Sequence, residues 1–453
     1  MEKRQNDLMI TGSIWKKILL FSAPLMLGNL LQQLYSTIDS IIVGHAVGSI
    51  ALAAVGASTM VIYLLIAFSQ GAAVGAGVIV AQYLGAGEKE RTQEAVHTAL
   101  AIAVILGVLL TAGGIAGTET LLRWMDTPEE VLPEAALYLE IYSGGLLFNV
   151  LYNMAAGILN AAGNSRAPLF YLGIAGIVHV ALALIGIGWL GMGVAGAAFA
   201  TDAGQALSAA LCLASLARKQ TDYQVHFQRI ALHPAMARRI LQVAIPVGVQ
   251  NMVIGISNVI VQAAVNGYGA AVVAGFGVYL RIDGLIVLPI LAIGMAATTF
   301  IGQNYGAGKR RRMEKGLAVT LSMGTIYAAA AGAAVLLFSD TVIGAFTNDP
   351  AVIAESERAM WYFCPFYIVM TLLNILGGAV RGVGRSVPPM IVMLFSFCVF
   401  RMLWVWLAPP FFSGAEGIYL VYPVSWTIGL LMMAWYSRYR GWRNLRGIGN
   451  SAS

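Results

Sequence analysis

The sequence predicts an all-α integral membrane protein, twelve transmembrane helices in two pseudo-symmetric six-helix lobes. Three observations predict it: too little charge for a water-soluble surface, about twelve apolar runs of spanning length, and an internal repeat. Of 453 residues, 59% are hydrophobic and only 11% charged, against about 25% charged in soluble domains. With a mean hydropathy of +0.77, the polar residues could not cover one water-soluble core, and lipid is the remaining solvent.

A spanning helix needs about 20 mostly apolar residues. Breaks at Gly, Pro and charge clusters leave runs near 16–42, 50–73, 94–116, 135–158, 167–188, 193–217, 239–264, 272–300, 316–338, 358–380, 388–408 and 416–437. The first run is too long for a signal-peptide core and lacks a cleavage site, so it is expected to stay in the mature protein. Lys and Arg collect on one side. Twenty-three of the 27 basic residues fall on the face of the N-terminus, in clusters such as Lys16–Lys17, Lys89–Arg91, Arg238–Arg239 and Lys309–Lys315, and only Arg123 and Arg358 on the other. The positive-inside rule makes that face, with both termini, cytoplasmic. The net charge of +6 therefore reports topology and contact with anionic lipid, not a nucleic-acid surface. Trp404, Trp406, Trp426, Trp435 and Trp442 fall near span ends, where an interfacial belt is expected.

Gln82-Tyr-Leu-Gly-Ala-Gly87 returns as Gln303-Asn-Tyr-Gly-Ala-Gly308, and Asn153, Gly157, Gly163, Ser165 and Pro168 return 221 residues later as Asn374, Gly378, Gly384, Ser386 and Pro389. Pro24 and Asn29 return at 222 as Pro246 and Asn251. Six spans per copy put both copies into the membrane from the same side, a parallel repeat suited to alternating access between lobes. The expected division is a cytoplasmic segment 1–13, an N-lobe 14–217, a cytoplasmic linker 218–238, a C-lobe 239–437 and a cytoplasmic tail 438–453.

Cys212, Cys364 and Cys398 lie in apolar runs and read as buried hydrophobes. No HExxH spacing and no GxxxxGK[ST] loop occurs, which argues against a metalloenzyme, an ATP-driven pump and any bound cofactor. A secondary transporter, not an enzyme, is the class left. A passive channel is the rival that uphill transport would remove.

The stretch Pro24-Leu-Met-Leu-Gly-Asn29, with Gln32, Gln33, Tyr35-Ser-Thr-Ile-Asp39, Gly44 and Ala51-Leu-Ala-Ala-Val-Gly56, resembles the first two helices of a MATE (multidrug and toxic compound extrusion) exporter. Gly85–Gly87, Asn304–Ala307 and Gly191-Met-Gly-Val-Ala-Gly-Ala-Ala198 add to the resemblance, which covers essentially the whole chain and is closest to the DinF-like and MepA-like branch. It implies a multi-pass plasma-membrane antiporter that exports cationic or amphipathic small molecules, with H+ as coupling ion and Na+ as the alternative. A monomer without nucleic-acid partners is expected. The alternative function is a lipid-linked precursor flippase of related fold, for which a basic cavity is expected.

A carboxylate inside a bilayer is costly and is a functional candidate by default. Asp39, Asp202 and Asp283 lie well within spans, and the repeat counterpart of Asp39 is Val261. The resemblance makes Asp39 the protonation or cation site. The family's fifth-helix Asn and Asp fall here on His179 and Ala183, so one carboxylate is missing; Thr201 matches the family's sixth-helix Thr, and Asp202 beside it is unusual. Either Asp202 supplies the lost charge and Na+ binds near Asp39 and Thr201, or Asp39 and His179 share a proton. The second is preferred, because adjacent helical residues point about 100° apart and Asp202 need not face where Thr201 does. Gln33, Tyr138, Asn149, Asn153 and Asp283 are substrate-cavity candidates, although Asp283 is expected first to pair with Arg401 as a buried ion pair. Pro24, which removes a helix hydrogen bond, is the expected bending point.

Overall fold

The computed structural model describes residues 8–218, 220–407, 411–412 and 414–438. Most of the expected segment 1–13 and of the tail 438–453 lies outside these, with Lys3, Arg4, Lys219, Arg440, Trp442, Arg443 and Arg446. The described chain is a succession of helices: α1 (Ile14–Ala46), α2 (Ser49–Ala86), α3 (Lys89–Trp124), α4 (Leu132–Gly144 and Leu146–Ala161), α5 (Arg166–Ala183, extended by a π turn Leu184–Trp189), α6 (Gly193–Arg218), α7 (Pro234–Asn266), α8 (Ala270–Gly306), α9 (Arg310–Leu337), α10 (Pro350–Phe363 and Tyr367–Gly382, joined by a 3-10 turn), α11 (Val387–Met393 and Phe400–Leu407, joined by a π turn) and α12 (Glu416–Tyr436). Eleven are long and apolar enough to cross a membrane unbroken, and α4, bent by 47° at Gly145, makes the twelfth. Each expected span falls on one of these helices. Side chains such as Leu109, Ile177, Ile326 and Leu431 are exposed, as lipid-facing positions of a bundle should be.

The repeated glycines prove to be helix stops. Gly87 and Gly308 both have a left-handed backbone, φ 74° and 66°, and their N–H groups reach the carbonyls of Leu84 and Tyr305 at 3.2 and 3.1 Å. The following N–H groups reach Tyr83 and Asn304. Gly163 and Gly384, both at φ 84°, cap α4 and α10 in the same way, with bonds to Asn160 and Arg381. A side chain is strained in this conformation, and Gly at such a cap satisfies carbonyls that would otherwise be orphaned at the helix end. The 221-residue period is thus a period of turn geometry.

Contacts divide the chain into two units, each made of two stretches of sequence. One is Met1–Leu8 with Leu27–Met252; the other is Met9–Met26 with Val253–Ser453. Helices α1 and α7 each change unit along their length, α1 just after Pro24. Within the first unit the N-terminal part of α7 packs on α2 through small residues: a Cβ on Gly71 would lie 2.6 Å from the Gly248 nitrogen, and one on Gly75 2.7 Å from that of Ala244. The pairs Gly71/Gly75 and Ala244/Gly248 are one helical turn apart, the small-xxx-small pattern that lets membrane helices approach closely. Within the second unit Met9, Ile18 and Phe21 pack with Ala296, Phe300, Ile301, Met313, Ala379 and Val383. The main core of this unit is aromatic, with Phe276, Tyr279, Phe363, Tyr367, Tyr419 and Trp426 buried together.

That core corrects one expectation. Trp426 is 4% exposed and belongs to the interior, not to an interfacial belt, whereas Trp406 and Trp435 are largely exposed. Arg123 and Arg358, the basic residues expected on the far face, are each tied to two acids: Arg123 to Glu119 and Glu129 at 2.9 and 2.8 Å, Arg358 to Glu355 and Glu416 at 3.1 and 3.4 Å. Their charge is locally offset.

Candidate functional site

The strongest constellation lies in the first unit. Asp39 on α1 places Oδ1 3.1 Å from Nε2 of His179 on α5, and both side chains are largely buried, 13% and 7% exposed. The same Nε2 lies 3.4 Å from Oγ1 of Thr201 on α6. The Thr201 hydroxyl donates to the Ala197 carbonyl at 3.0 Å; its single proton being committed there, it can accept from His179 only if Nε2 carries a hydrogen, an assignment made from the network. That N–H then faces a hydroxyl, with the carboxylate oxygen close beside it. Asp39 Oδ1 has no properly directed hydrogen bond, so the approach to His179 is close but not straight. An exposed histidine would offer its partner to water; this one is walled in by Tyr35, whose ring meets the imidazole edge-on at 6.0 Å and whose hydroxyl donates to the Leu172 carbonyl at 3.3 Å.

Helical geometry explains the assembly. His179 and Gly176 lie three residues apart on one face of α5, and a methyl at Gly176 would overlap the Tyr35 ring. Gly176 therefore makes the room in which Tyr35 covers His179, and Gly204 on α6 does likewise, a Cβ there lying 3.1 Å from that of His179. Sequence reasoning missed Tyr35 and Gly176 as parts of the site. A glycine one turn from the only histidine of that span was the available signal.

Asp202 points elsewhere. Its carboxylate packs on Gly145, at the break in α4, where a methyl would overlap it. It lies within electrostatic reach of Tyr138, as does Asp39, and Tyr142 is also near Asp202. Tyr138 stacks with Tyr142, ring centroids 6.2 Å apart, and packs among Val43, Ala51, Ile187 and Val194. Asn153 donates to the carbonyl and the side-chain oxygen of Asn149, both at 2.9 Å, an amide pair along one helix. Gln33 is exposed on α1. Ala183, where a second carboxylate would have stood, is buried. Among the described residues no three His, Cys, Asp or Glu side chains converge as a metal site.

In the second unit the expected Asp283–Arg401 ion pair is absent. Asp283 Oδ1 instead accepts from Tyr279 and Tyr367 at 2.9 and 2.8 Å. Arg401, 1% exposed, donates to Ser425 Oγ at 3.0 Å and Asn258 Oδ1 at 3.3 Å. Its guanidinium lies between the rings of Phe397 and Tyr422, 4.4 and 4.3 Å from their centroids. Two neutral tyrosines satisfy the acid and two π faces receive the base, so each buried charge is met without the other.

Twelve helices in two repeats, with one acid–imidazole pair in the first unit, define a multi-pass membrane protein of transporter architecture. The MatE family profile matches residues 24–185 and 246–407, once per repeat. The probable multidrug resistance protein YpnP of Bacillus subtilis (strain 168) is 30% identical over 96% of this chain and 97% of its own. A second probable multidrug resistance protein of that organism, YoeA, is 25% identical over 94% of each. The fold is that of a MATE crystal structure in a bent conformation, with a TM-score of 0.89 and 24% identity over 95% of this chain and 96% of that one. The chain belongs to the MATE family.

Proposed function

We propose that this MATE transporter exports cationic or amphipathic small molecules in exchange for protons by alternating access, with Asp39 as the coupling carboxylate and His179 as its partner. The observation that carries the reading is the 3.1 Å approach of Asp39 Oδ1 to His179 Nε2 in a site where the oxygen inventory is short. A sodium ion wants several hard oxygen ligands; here a ring nitrogen faces the carboxylate, Thr201 supplies a single hydroxyl oxygen beside it, and Ala183 offers a methyl group. A proton needs only one acceptor. Its arrival at Asp39 from outside neutralises the carboxylate, loosens the hold on a cationic substrate and removes the attraction of α1 for α5. Pro24, which deprives α1 of one backbone hydrogen bond, makes a bend of that helix inexpensive.

The names of YpnP and YoeA, both probable multidrug resistance proteins, support drug-like compounds as substrates. The basic clusters at one face and the neutralised Arg123 and Arg358 at the other support a plasma-membrane orientation with both termini inside. The test is accumulation of a cationic dye in inverted vesicles energised separately by a pH gradient and by a sodium gradient, for the native chain and Asp39→Asn. Uptake driven by pH and lost in Asp39→Asn is the expected result. Uptake driven by sodium alone would overturn the proton reading, and uptake unchanged in Asp39→Asn would remove Asp39 from the coupling site.

A further inference from the structure

The segment between α6 and α7 is folded against α3 around a cavity of about 540 Å³ that neither the transport reading nor the coupling site uses. Its lining includes Lys89, Gln93, Thr221, Gln224, His226 and Arg229, and no acidic side chain. We infer that this cavity is a binding site for a phosphate-type oxyanion, held chiefly by Lys89 and Arg229.

The walls are fixed before any ligand arrives. His226 donates its backbone N–H to Nε2 of His97 at 3.0 Å, and His97 Nδ1 lies 2.7 Å from the Gln93 carbonyl. Nδ1 therefore carries the ring hydrogen and Nε2 is the acceptor, so both nitrogens of this buried ring are committed. The two imidazoles stack, centroids 6.1 Å apart. Gln224 donates from Nε2 to the Ala217 carbonyl at 2.8 Å and from its backbone to Thr221 at 3.1 Å, and Val225 returns a bond to Leu216. A linker anchored this often costs little to order on binding.

The charge of the lining is one-sided, with Glu90 in the first turn of α3 and Asp222 in the linker standing outside it. Lys89 is the first residue of α3, and Glu88 before it gives no side-chain cap, so first-turn N–H groups and the helix dipole add to the positive potential. Glu88 is drawn away by Arg91, 3.3 Å distant. Thr221 lines the cavity as well, with its Oγ1 buried and without a hydrogen-bond partner. Phosphate oxygens suit a guanidinium and an ammonium together. The positive-inside pattern assigns Lys89 and Arg229 to the face rich in Lys and Arg, so the oxyanion can belong to an anionic lipid headgroup of that leaflet or to a free phosphate.

The test needs no transport measurement, so its failure is separable from failure of the antiport reading. The full chain is placed in phosphatidylcholine nanodiscs, and its thermal midpoint is followed as inorganic phosphate replaces chloride at constant ionic strength; in parallel, lipid retained after purification from mixed phosphatidylethanolamine–phosphatidylglycerol membranes is read by native mass spectrometry. Saturable protection by phosphate assigns the free anion, and retained phosphatidylglycerol without phosphate protection assigns the headgroup. In either arm, Lys89→Gln with Arg229→Gln should weaken binding about ten-fold or more, since each charge-assisted bond is substantial. The control Arg166→Gln with Arg311→Gln, an equal charge change outside the cavity, should leave it unchanged. Binding absent in both arms, or lost equally in the control, would overturn the proposal.

Discussion

At the scale of single residues, the contest is between one missing acid and one added imidazole. The position of Asp39 was legible because a carboxylate has few reasons to stand in lipid. The covering role of Tyr35 was not, since sequence spacing fixes which face of α5 carries His179 but not which ring from α1 crosses to it. The Asp283–Arg401 pairing was misjudged for a related reason: depth along two helices was used where azimuth decides, and tyrosine hydroxyls and aromatic faces stand where an opposite charge was expected. If the site is proton-selective because oxygen ligands are lacking, restoring them should change the ion. The double variant His179→Asn, Ala183→Asp puts back the amide and carboxylate that the family resemblance implies, four residues apart on one face. Sodium-driven dye uptake is expected to appear in it and to be absent from the native chain. A correctly folded double variant that ignores a sodium gradient would show that ligand number is not what selects the ion.

Elements show how a local rule serves a larger one. The repeated Gly-containing motifs include four left-handed caps, which stop α2 and α4 in the first unit and α8 and α10 in the second. The chain beyond each stop is repeated less strictly. After α8, Arg312 on α9 donates to the carbonyls of Met9 and Thr11 at 3.1 and 2.9 Å, Lys309 to that of Ile10 at 3.0 Å, and Gln303 accepts the Met9 N–H at 2.6 Å. The chain ahead of α1 is thereby strapped to the second unit by backbone groups, so its own side chains announced nothing. Removing the guanidinium should loosen it. In Arg312→Gln, hydrogen exchange at the Met9 amide is expected to speed up about ten-fold or more, the loss of two charge-assisted bonds discounted for partial exposure. Exchange unchanged from the native chain would mean that apolar packing of Met9 alone holds the segment.

For the whole molecule, twelve spans and a two-fold repeat could be read directly, because a bilayer permits few other ways to satisfy so much backbone in so apolar a chain. The partition of α1 and α7 between units could not, since no composition change marks Met26–Leu27 or Met252–Val253. Coupling is the property that belongs to this scale. Of the three mid-span carboxylates, Asp283 is bonded to two tyrosines, Asp202 packs on Gly145, and Asp39 alone keeps a buried oxygen without a directed hydrogen bond. On the proposed reading one such acid exchanges one proton per substrate, and a monovalent cation then crosses with no net charge. A potential of 100 mV is worth about 2.3 kcal/mol per charge, or about fifty-fold in concentration ratio, so the distinction is large. With pH equal on both sides, a potassium-diffusion potential of either sign should leave the steady accumulation of a monovalent dye in inverted vesicles unchanged. Made inside-negative, the same potential should drive a divalent dye, which leaves one charge uncompensated, towards that fifty-fold ratio. Equal response of the two dyes would mean that more than one proton moves per cycle, and that a second carboxylate shares the work of Asp39.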